Sequence, residues 1–141
     1  MLGNFTYHNP TKLIFGKDAL ASLAAELAPY STIQLVYGSG SIRRFGIYDQ
    51  VIETLRTAGK TIVEDSGVMP NPTIEKLREG AQIARDNDVD FILAVGGGSC
   101  VDYAKAVAVS KDLPAGEDPW DVYFDRFEEP AADREVVPVG S

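Results

Sequence analysis

The stretch that decides the fold is FILAVGGGSCVDYAK, residues 91–105. Five apolar residues come first and indicate a buried strand, and the run that follows the glycines has the pattern of a helix. Three glycines stand at the junction, where they let a ligand approach the backbone closely. A phosphate group at a helix N-terminus is the ligand that such a junction favours. The stretch therefore predicts a strand, a phosphate-binding turn and a helix in direct succession.

Strand and helix patterns alternate along the rest of the chain. Strands are predicted at residues 32–37, 61–64, 91–95 and 136–139, and helices at residues 19–27, 48–58, 73–85 and 99–110. Strands that are apolar on both faces and alternate with helices indicate a parallel sheet covered on both sides. The predicted fold class is therefore α/β: a doubly wound, mostly parallel sheet with helices on both faces.

Three local features complete this pattern. Residues 4–8 and 11–15 have strand-like sequences and predict an N-terminal strand pair. Residues 111–134 are acidic and carry prolines and aromatic residues, so we expect a long excursion there rather than a part of the sheet. Asn71 is the predicted cap of the helix at 73–85, with Pro72 in its first position.

Length and charge limit the classes of function. The 141 residues, 45% of them hydrophobic, are enough for one domain with one core. A net charge of −8 makes nucleic acid and anionic membranes poor partners. The chain shows neither an apolar run that could span a bilayer nor a signal-peptide pattern, so we expect a cytoplasmic protein without a membrane partner.

The single cysteine and the single histidine are weak candidates for chemistry. Cys100 can form no internal disulfide. Its place in the first turn of a helix would lower the pKa of a reactive thiol, but a small buried apolar side chain is the favoured interpretation. His8 is the only histidine, which argues against a histidine-based metal site within this chain.

Ligands of open α/β sheets bind beyond the carboxyl ends of the strands. Three loops of this chain follow such strand ends, at residues 38–41, 68–72 and 96–99. The loops at 38–41 and 96–99 are called the first and second glycine joints. Gly97 and Gly98 offer unhindered N–H groups and Ser99 a hydroxyl, a set that suits a pyrophosphate. The other interpretation is a tight turn in which Ser99 only caps the helix. The loop matches neither a Walker loop nor the GxGxxG fingerprint, so a dinucleotide site here is not of the common Rossmann type.

Asp102 and Lys105 lie three residues apart on the helix after the glycines and share a face. Beside a cofactor, the Asp102 carboxylate would accept a hydrogen bond from a ribose hydroxyl or a carboxamide. The alternative is an ordinary surface ion pair with Lys105.

Four motifs in order resemble the iron-containing, or group III, alcohol dehydrogenases. They are NFTYHNPTKLIFG near the N-terminus, YGSGSIRRFG at the end of the predicted strand 32–37, VMPNPT, and GGGSCVDYAK. The resemblance is greatest to the branch of NADP-dependent butanol dehydrogenases and aldehyde reductases. It covers essentially this whole chain, but only about the first third of the family's length.

The resemblance implies an N-terminal α/β domain at residues 1–141 that binds NAD(P). In the family, a C-terminal helical domain supplies an Asp and three His to iron or zinc, and hydride passes between the nicotinamide and a primary alcohol or aldehyde. None of those metal ligands is in this sequence, so we expect this chain alone to be inactive. The family's pairing of N-terminal strands between subunits also implies a homodimer.

The resemblance also assigns cofactor-binding residues. It implies that Gly38, Ser39 and Ser41 line the adenosine end and that Asn71 lies near the adenine or ribose. The pyrophosphate then lies on Gly97, Gly98 and Ser99, and Asp102 faces the nicotinamide end.

NADP is favoured over NAD by the residues after the first glycine joint. Relatives that prefer NAD often carry an Asp where this chain has Ser39. Ser41, Arg43 and Arg44 are close enough in sequence to accept and neutralise a 2′-phosphate. The alternative is that the two arginines are solvated surface charges.

Two other functions fit the same motifs. One is a polyol oxidoreductase like the glycerol dehydrogenases, which share the glycine loop and the topology. The other is a nucleotide-binding module without catalysis.

Overall fold

A computed structural model describes residues 3–38, 40–114, 116–129 and 135–141. Its four strands are β1 (Thr32–Tyr37), β2 (Thr61–Asp65), β3 (Phe91–Val95) and β4 (Val139–Gly140). They form one parallel sheet in the order β2-β1-β3-β4. The prediction of a parallel α/β sheet is confirmed, and the central strands β1 and β3 are the most buried of the four.

Helices cover both faces of the sheet. The longer ones are α3 (Ile47–Thr57), α4 (Ile74–Asp86) and α5 (Gly98–Ser110). Two short ones are α1 (Leu23–Glu26), which follows a 3₁₀ turn, and α2 (Ser41–Arg44). Helices α1 and α3 pack on one face over Ile33 and Leu35, while α4 and α5 pack on the other over Val36 and Ile92. This is the doubly wound arrangement that the alternating pattern predicts. None of the helices in the described ranges has the length and apolar character of a membrane span.

The N-terminal strand pair is a wrong prediction. Residues 3–15 form neither strand nor helix and are exposed along their whole length. A strand needs a partner for its backbone groups, and no strand of the sheet takes these residues as a neighbour. The homodimer expected through this segment stays a prediction.

The cap of α4 also differs from expectation. Thr73 rather than Asn71 caps this helix, because its hydroxyl accepts a hydrogen bond from the backbone N–H of Lys76 at 3.4 Å. Asn71 instead has a left-handed backbone, with φ of +53°, and turns the chain before the cap. A short polar side chain tolerates this conformation better than most.

The predicted excursion after α5 contains no strand in its described residues. It forms one π-helical turn, Asp121–Asp125, in which Val122 is buried. The Tyr123 hydroxyl donates to the carbonyl of Val109 at 2.7 Å and ties the turn to α5. The aromatic residues Trp120 and Phe124 stack with their ring centres 4.8 Å apart.

A buried polar network joins the end of β2 to α4 and α5. The Asp65 carboxylate, 1% exposed, accepts hydrogen bonds from Lys76 Nζ at 2.7 Å, Gln34 Nε2 at 2.8 Å and the Tyr103 hydroxyl at 2.8 Å. Gly80 permits this packing, since a Cβ at that position would lie 2.0 Å from the Tyr103 oxygen. Because Asp65 is the last residue of β2, the network ties the carboxyl end of this strand to α4 and α5.

Candidate dinucleotide-binding site

The two glycine joints meet at the carboxyl edge of the sheet. Tyr37 pairs with Val95 in the parallel register, so Gly38 and Gly96 leave the sheet side by side. Strand β1 pairs with β2 on one side and with β3 on the other. The point between β1 and β3 is therefore where the strand order reverses, which is the usual place for a ligand in such sheets.

Gly97 and Gly98 have no structural need to be glycine. Gly97 has φ of −85°, which any residue adopts, and Gly98 is likewise outside the left-handed region. A Cβ built on either one would have no described atom within 4 Å. The surface of both residues is exposed at the first turn of α5. The space that side chains at Gly97 and Gly98 would occupy is therefore open to solvent. It lies at the N-terminus of α5, where the first N–H groups of the helix have no partner within the helix and the helix dipole is positive.

Ser99 does not cap this helix. The N-cap is Gly97, without a side-chain cap bond, and Cys100 donates its backbone N–H to the Gly97 carbonyl at 3.0 Å. The interpretation of Ser99 as a mere cap is therefore wrong. Its half-buried hydroxyl lies in the first turn, beside the glycine surface.

Gly96 differs from the next two glycines because it is required for packing. A Cβ there would lie 2.7 Å from the Cys100 sulfur. The thiol also receives backbone hydrogen bonds from Gly38 and Gly97, so it fills the space between the two glycine joints. The sequence gives Cys100 no such role, since the contact depends on how β1 and β3 pair.

Cys100 is expected to react slowly with thiol reagents. The residue is 6% exposed, and burial raises the pKa of its thiol despite the backbone hydrogen bonds. Because only the thiolate is nucleophilic, we expect alkylation by iodoacetamide at least about a hundredfold slower in the folded chain than in urea. Mass spectrometry of timed samples measures both rates. Equal rates would contradict the buried position.

Three of the other predicted residues, Gly38, Arg43 and Asp102, line two cavities. The first has a volume of about 300 Å³ and is lined by Tyr37, Gly38, Arg43, Ser66 and Gly67. It holds the first glycine joint and the predicted phosphate-binding arginine together. Ser39 lies outside the described residues. Ser41 opens the short helix α2 that carries Arg43.

Asp102 lies in the second cavity, of about 230 Å³, apart from Gly38. Its other walls are mainly apolar and include Pro72, Thr73, Trp120 and Phe124. Asn71 is exposed in the turn just before Pro72. Within the described ranges, Asp102 and Lys105 form no ion pair, so the surface-pair interpretation is not what the structure shows.

Sequence reasoning missed the partners of Arg43. Its Nη2 donates to the Tyr37 hydroxyl at 3.0 Å, and its guanidinium lies 4.4 Å above the ring centre of Tyr48. Tyr37 and Tyr48 both donate their hydroxyls to Glu64, the first of them at 3.0 Å. The exposed arginine is thus held by direct contacts from β1 and α3, and Glu64 of β2 holds the two tyrosines that make them.

The described residues contain no group of three or more His, Cys, Asp or Glu side chains that could hold a metal ion.

Comparison with known proteins agrees with the motifs. The model of the family described as iron-containing alcohol dehydrogenase matches residues 10–140. A probable NADH-dependent butanol dehydrogenase of Bacillus subtilis is 50% identical over 84% of this chain and 30% of its own length. The NADPH-dependent aldehyde reductase YqhD of Escherichia coli is 37% identical over 86% of this chain and 31% of its own length.

A solved structure shows the same fold. The NADH-dependent butanol dehydrogenase A of Thermotoga maritima superposes with a TM-score of 0.86 and 38% identity, over 96% of this chain and 33% of that one. The chain therefore spans about a third of the length of the proteins it matches. Of these relatives, the Bacillus subtilis protein is named as NADH-dependent and the Escherichia coli protein as NADPH-dependent.

Proposed function

This chain belongs to the iron-containing alcohol dehydrogenase family, and on that premise we propose that residues 1–141 are the dinucleotide-binding domain of an NADP-linked, metal-dependent alcohol dehydrogenase or aldehyde reductase. The observation that carries the proposal is the side-chain-free surface of Gly97 and Gly98 at the start of α5. Neither backbone geometry nor packing requires glycine there. Close approach of a pyrophosphate does, because a methyl group would occupy the space of its oxygens.

The reaction proposed for the whole protein is hydride transfer. The alcohol carbon gives a hydride to the oxidised nicotinamide and the hydroxyl loses a proton, which leaves an aldehyde; reduction is the reverse. The part of this chain is to bind and orient the dinucleotide. Asp102, exposed and without an ion pair to Lys105, accepts a hydrogen bond from the carboxamide in this proposal.

NADP is the proposed cofactor because of the charge at the first cavity. Arg43 lines that cavity next to Gly38, where a ribose beside the first glycine joint would present its 2′-phosphate. A guanidinium favours such a dianion, whereas NAD has a neutral hydroxyl at the same place.

Calorimetric titration of the chain with NADPH and with NADH tests the proposal. We expect both to bind, with NADPH tighter by about tenfold, the effect of one charge-assisted phosphate contact. Titration with inorganic phosphate is the control for nonspecific anion binding. Absence of heat for both dinucleotides at millimolar concentration would contradict a dinucleotide-binding domain, and tighter binding of NADH would contradict the NADP assignment.

A further inference from the structure

The cluster around Arg43 has a defined direction of hydrogen bonding. A tyrosine hydroxyl has one proton to donate and lone pairs to accept. Tyr37 donates its proton to Glu64 at 3.0 Å, so a lone pair of the same oxygen faces Nη2 of Arg43, also at 3.0 Å. Glu64 therefore orients the hydroxyl that holds the arginine.

Tyr48 completes the cluster from the other side. Its hydroxyl donates to Glu64 and its ring lies under the guanidinium, with 4.4 Å between Cζ of Arg43 and the ring centre. The hydrogen bond to Glu64 raises the pKa of Tyr48 to about 12. The phenol thus keeps its proton at neutral pH, and the ring remains a neutral face for the cation.

The guanidinium retains donors for a ligand. Arginine has five N–H groups, and among the described residues only Tyr37 accepts a hydrogen bond from that of Arg43. The same side chain lines the cavity of about 300 Å³ with Gly38, Ser66 and Gly67. One N–H is used to fix the side chain, and the others have no acceptor among the described residues.

We propose that Tyr37 and Tyr48 are positioning residues that hold Arg43 at this cavity, and that they thereby set the preference of the site for NADPH over NADH. The inference rests on the proposed function, and names which residues give that site its specificity. A long arginine side chain loses conformational freedom when it binds a phosphate. Holding the guanidinium beforehand removes part of this cost only for the dinucleotide that carries the phosphate.

Glu64 is the residue through which the same site would prefer NADH instead of NADPH. An acidic residue at the end of the second strand is placed to accept a hydrogen bond from a ribose 2′-hydroxyl, which would favour NADH. In this structure its carboxylate accepts from two tyrosine hydroxyls instead. The measured preference for one dinucleotide therefore distinguishes an arginine-centred site from a glutamate-centred one.

The test is a double-mutant cycle of Tyr37→Phe and Arg43→Gln, with calorimetric affinities for NADPH and NADH. Tyr37→Phe keeps the ring and the net charge, and we expect NADPH affinity to fall about fivefold, less than for removal of the arginine because only its positioning is lost, with NADH affinity unchanged. Arg43→Gln should lower NADPH affinity about tenfold. The double variant should bind NADPH no more weakly than Arg43→Gln alone, because the tyrosine acts through the arginine.

Two further variants sharpen the test. Tyr48→Leu removes the ring under the cation and should also lower only NADPH affinity, by about threefold. Arg56→Gln is the matched control, since it removes the same charge from an exposed position in the last turn of α3, at the far end of that helix from Arg43. It should change the ratio of the two affinities by less than about twofold.

The possible results distinguish the positioning role of the two tyrosines from the proposed function of the domain, which is dinucleotide binding. Equal losses of NADPH and NADH affinity in Tyr37→Phe, or additive losses in the double variant, would contradict the positioning role alone. Tighter binding of NADH by the unaltered chain would replace Arg43 by Glu64 as the specificity residue. Failure of the unaltered chain to bind either dinucleotide would contradict the proposed function itself.

Discussion

Gly97→Ala is expected to leave the fold intact and to weaken dinucleotide binding strongly. The methyl group meets no described atom within 4 Å, and φ of −85° suits alanine, so the free energy of unfolding should change by less than about 0.5 kcal/mol. The same methyl occupies the space proposed for the pyrophosphate. We expect NADPH affinity to fall by about a hundredfold.

Gly59→Ala gives the opposite result and serves as the control. This glycine precedes β2 at the amino edge of the sheet, away from the proposed site, and its φ is +71°. Alanine there should lower the free energy of unfolding by about 1 kcal/mol without changing NADPH affinity. Urea unfolding and calorimetry on both variants measure the two quantities. A Gly97→Ala chain that binds NADPH normally would refute the role given to the glycine surface.

Asp65→Ala is expected to be the most destabilising of the substitutions considered. It leaves the Lys76 ammonium, 7% exposed, without its buried counter-ion and removes an acceptor from Gln34 and Tyr103. Breaking a buried pair from one side costs about 3–5 kcal/mol. Glu79→Ala is the matched control, because Glu79 is the exposed partner of the same lysine at 3.2 Å and should cost under about 1 kcal/mol.

The pH dependence of the same variant follows from Lys76. Burial alone lowers the pKa of this amine, but the hydrogen bonds and charges of Asp65 and Glu79 outweigh burial and hold the pKa above its usual value. A raised pKa stabilises the fold below the unfolded value of about 10.4, and this stability is lost as the pH rises through the folded pKa.

Without Asp65 the raising influence is weaker, so the loss of stability above about pH 10 should be smaller in Asp65→Ala than in the unaltered chain. Urea unfolding at neutral and alkaline pH measures the difference. Losses of equal size in both chains would show that the pair does not control the titration.

The sequence predicts best those elements whose start or end is marked by neighbouring residues, such as an apolar run or a group of glycines. The apolar run of β3 and the glycines after it place the start of α5 within one residue, at Gly98 instead of Ser99. Strand β4 is shorter and lies later than the predicted 136–139, because its extent is set by pairing with Ile92 and Leu93 on β3. Pro138 has no N–H to extend the ladder.

Contacts between distant segments were not predictable. Arg43 was identified as a candidate from its place after the first glycine joint. The pattern of strands and helices does not show that Tyr37 of β1 and Tyr48 of α3 contact it. Tyr48 lies on α3 and Glu64 on β2, so their meeting depends on the packing of the helix against the sheet edge. Likewise, nothing local indicates that the Cys100 sulfur fills the space between two glycine joints.

The pairing of β1 with β3 has a consequence for the order of folding. Gly38 and Gly96 leave the sheet side by side only because these two strands pair in parallel, and β2 and α4 lie between them in the chain. A nascent chain must release β3 and the first turn of α5 from the ribosome before both halves of the site exist. At the proposed site, a dinucleotide would therefore stabilise only a chain whose parallel sheet has already assembled.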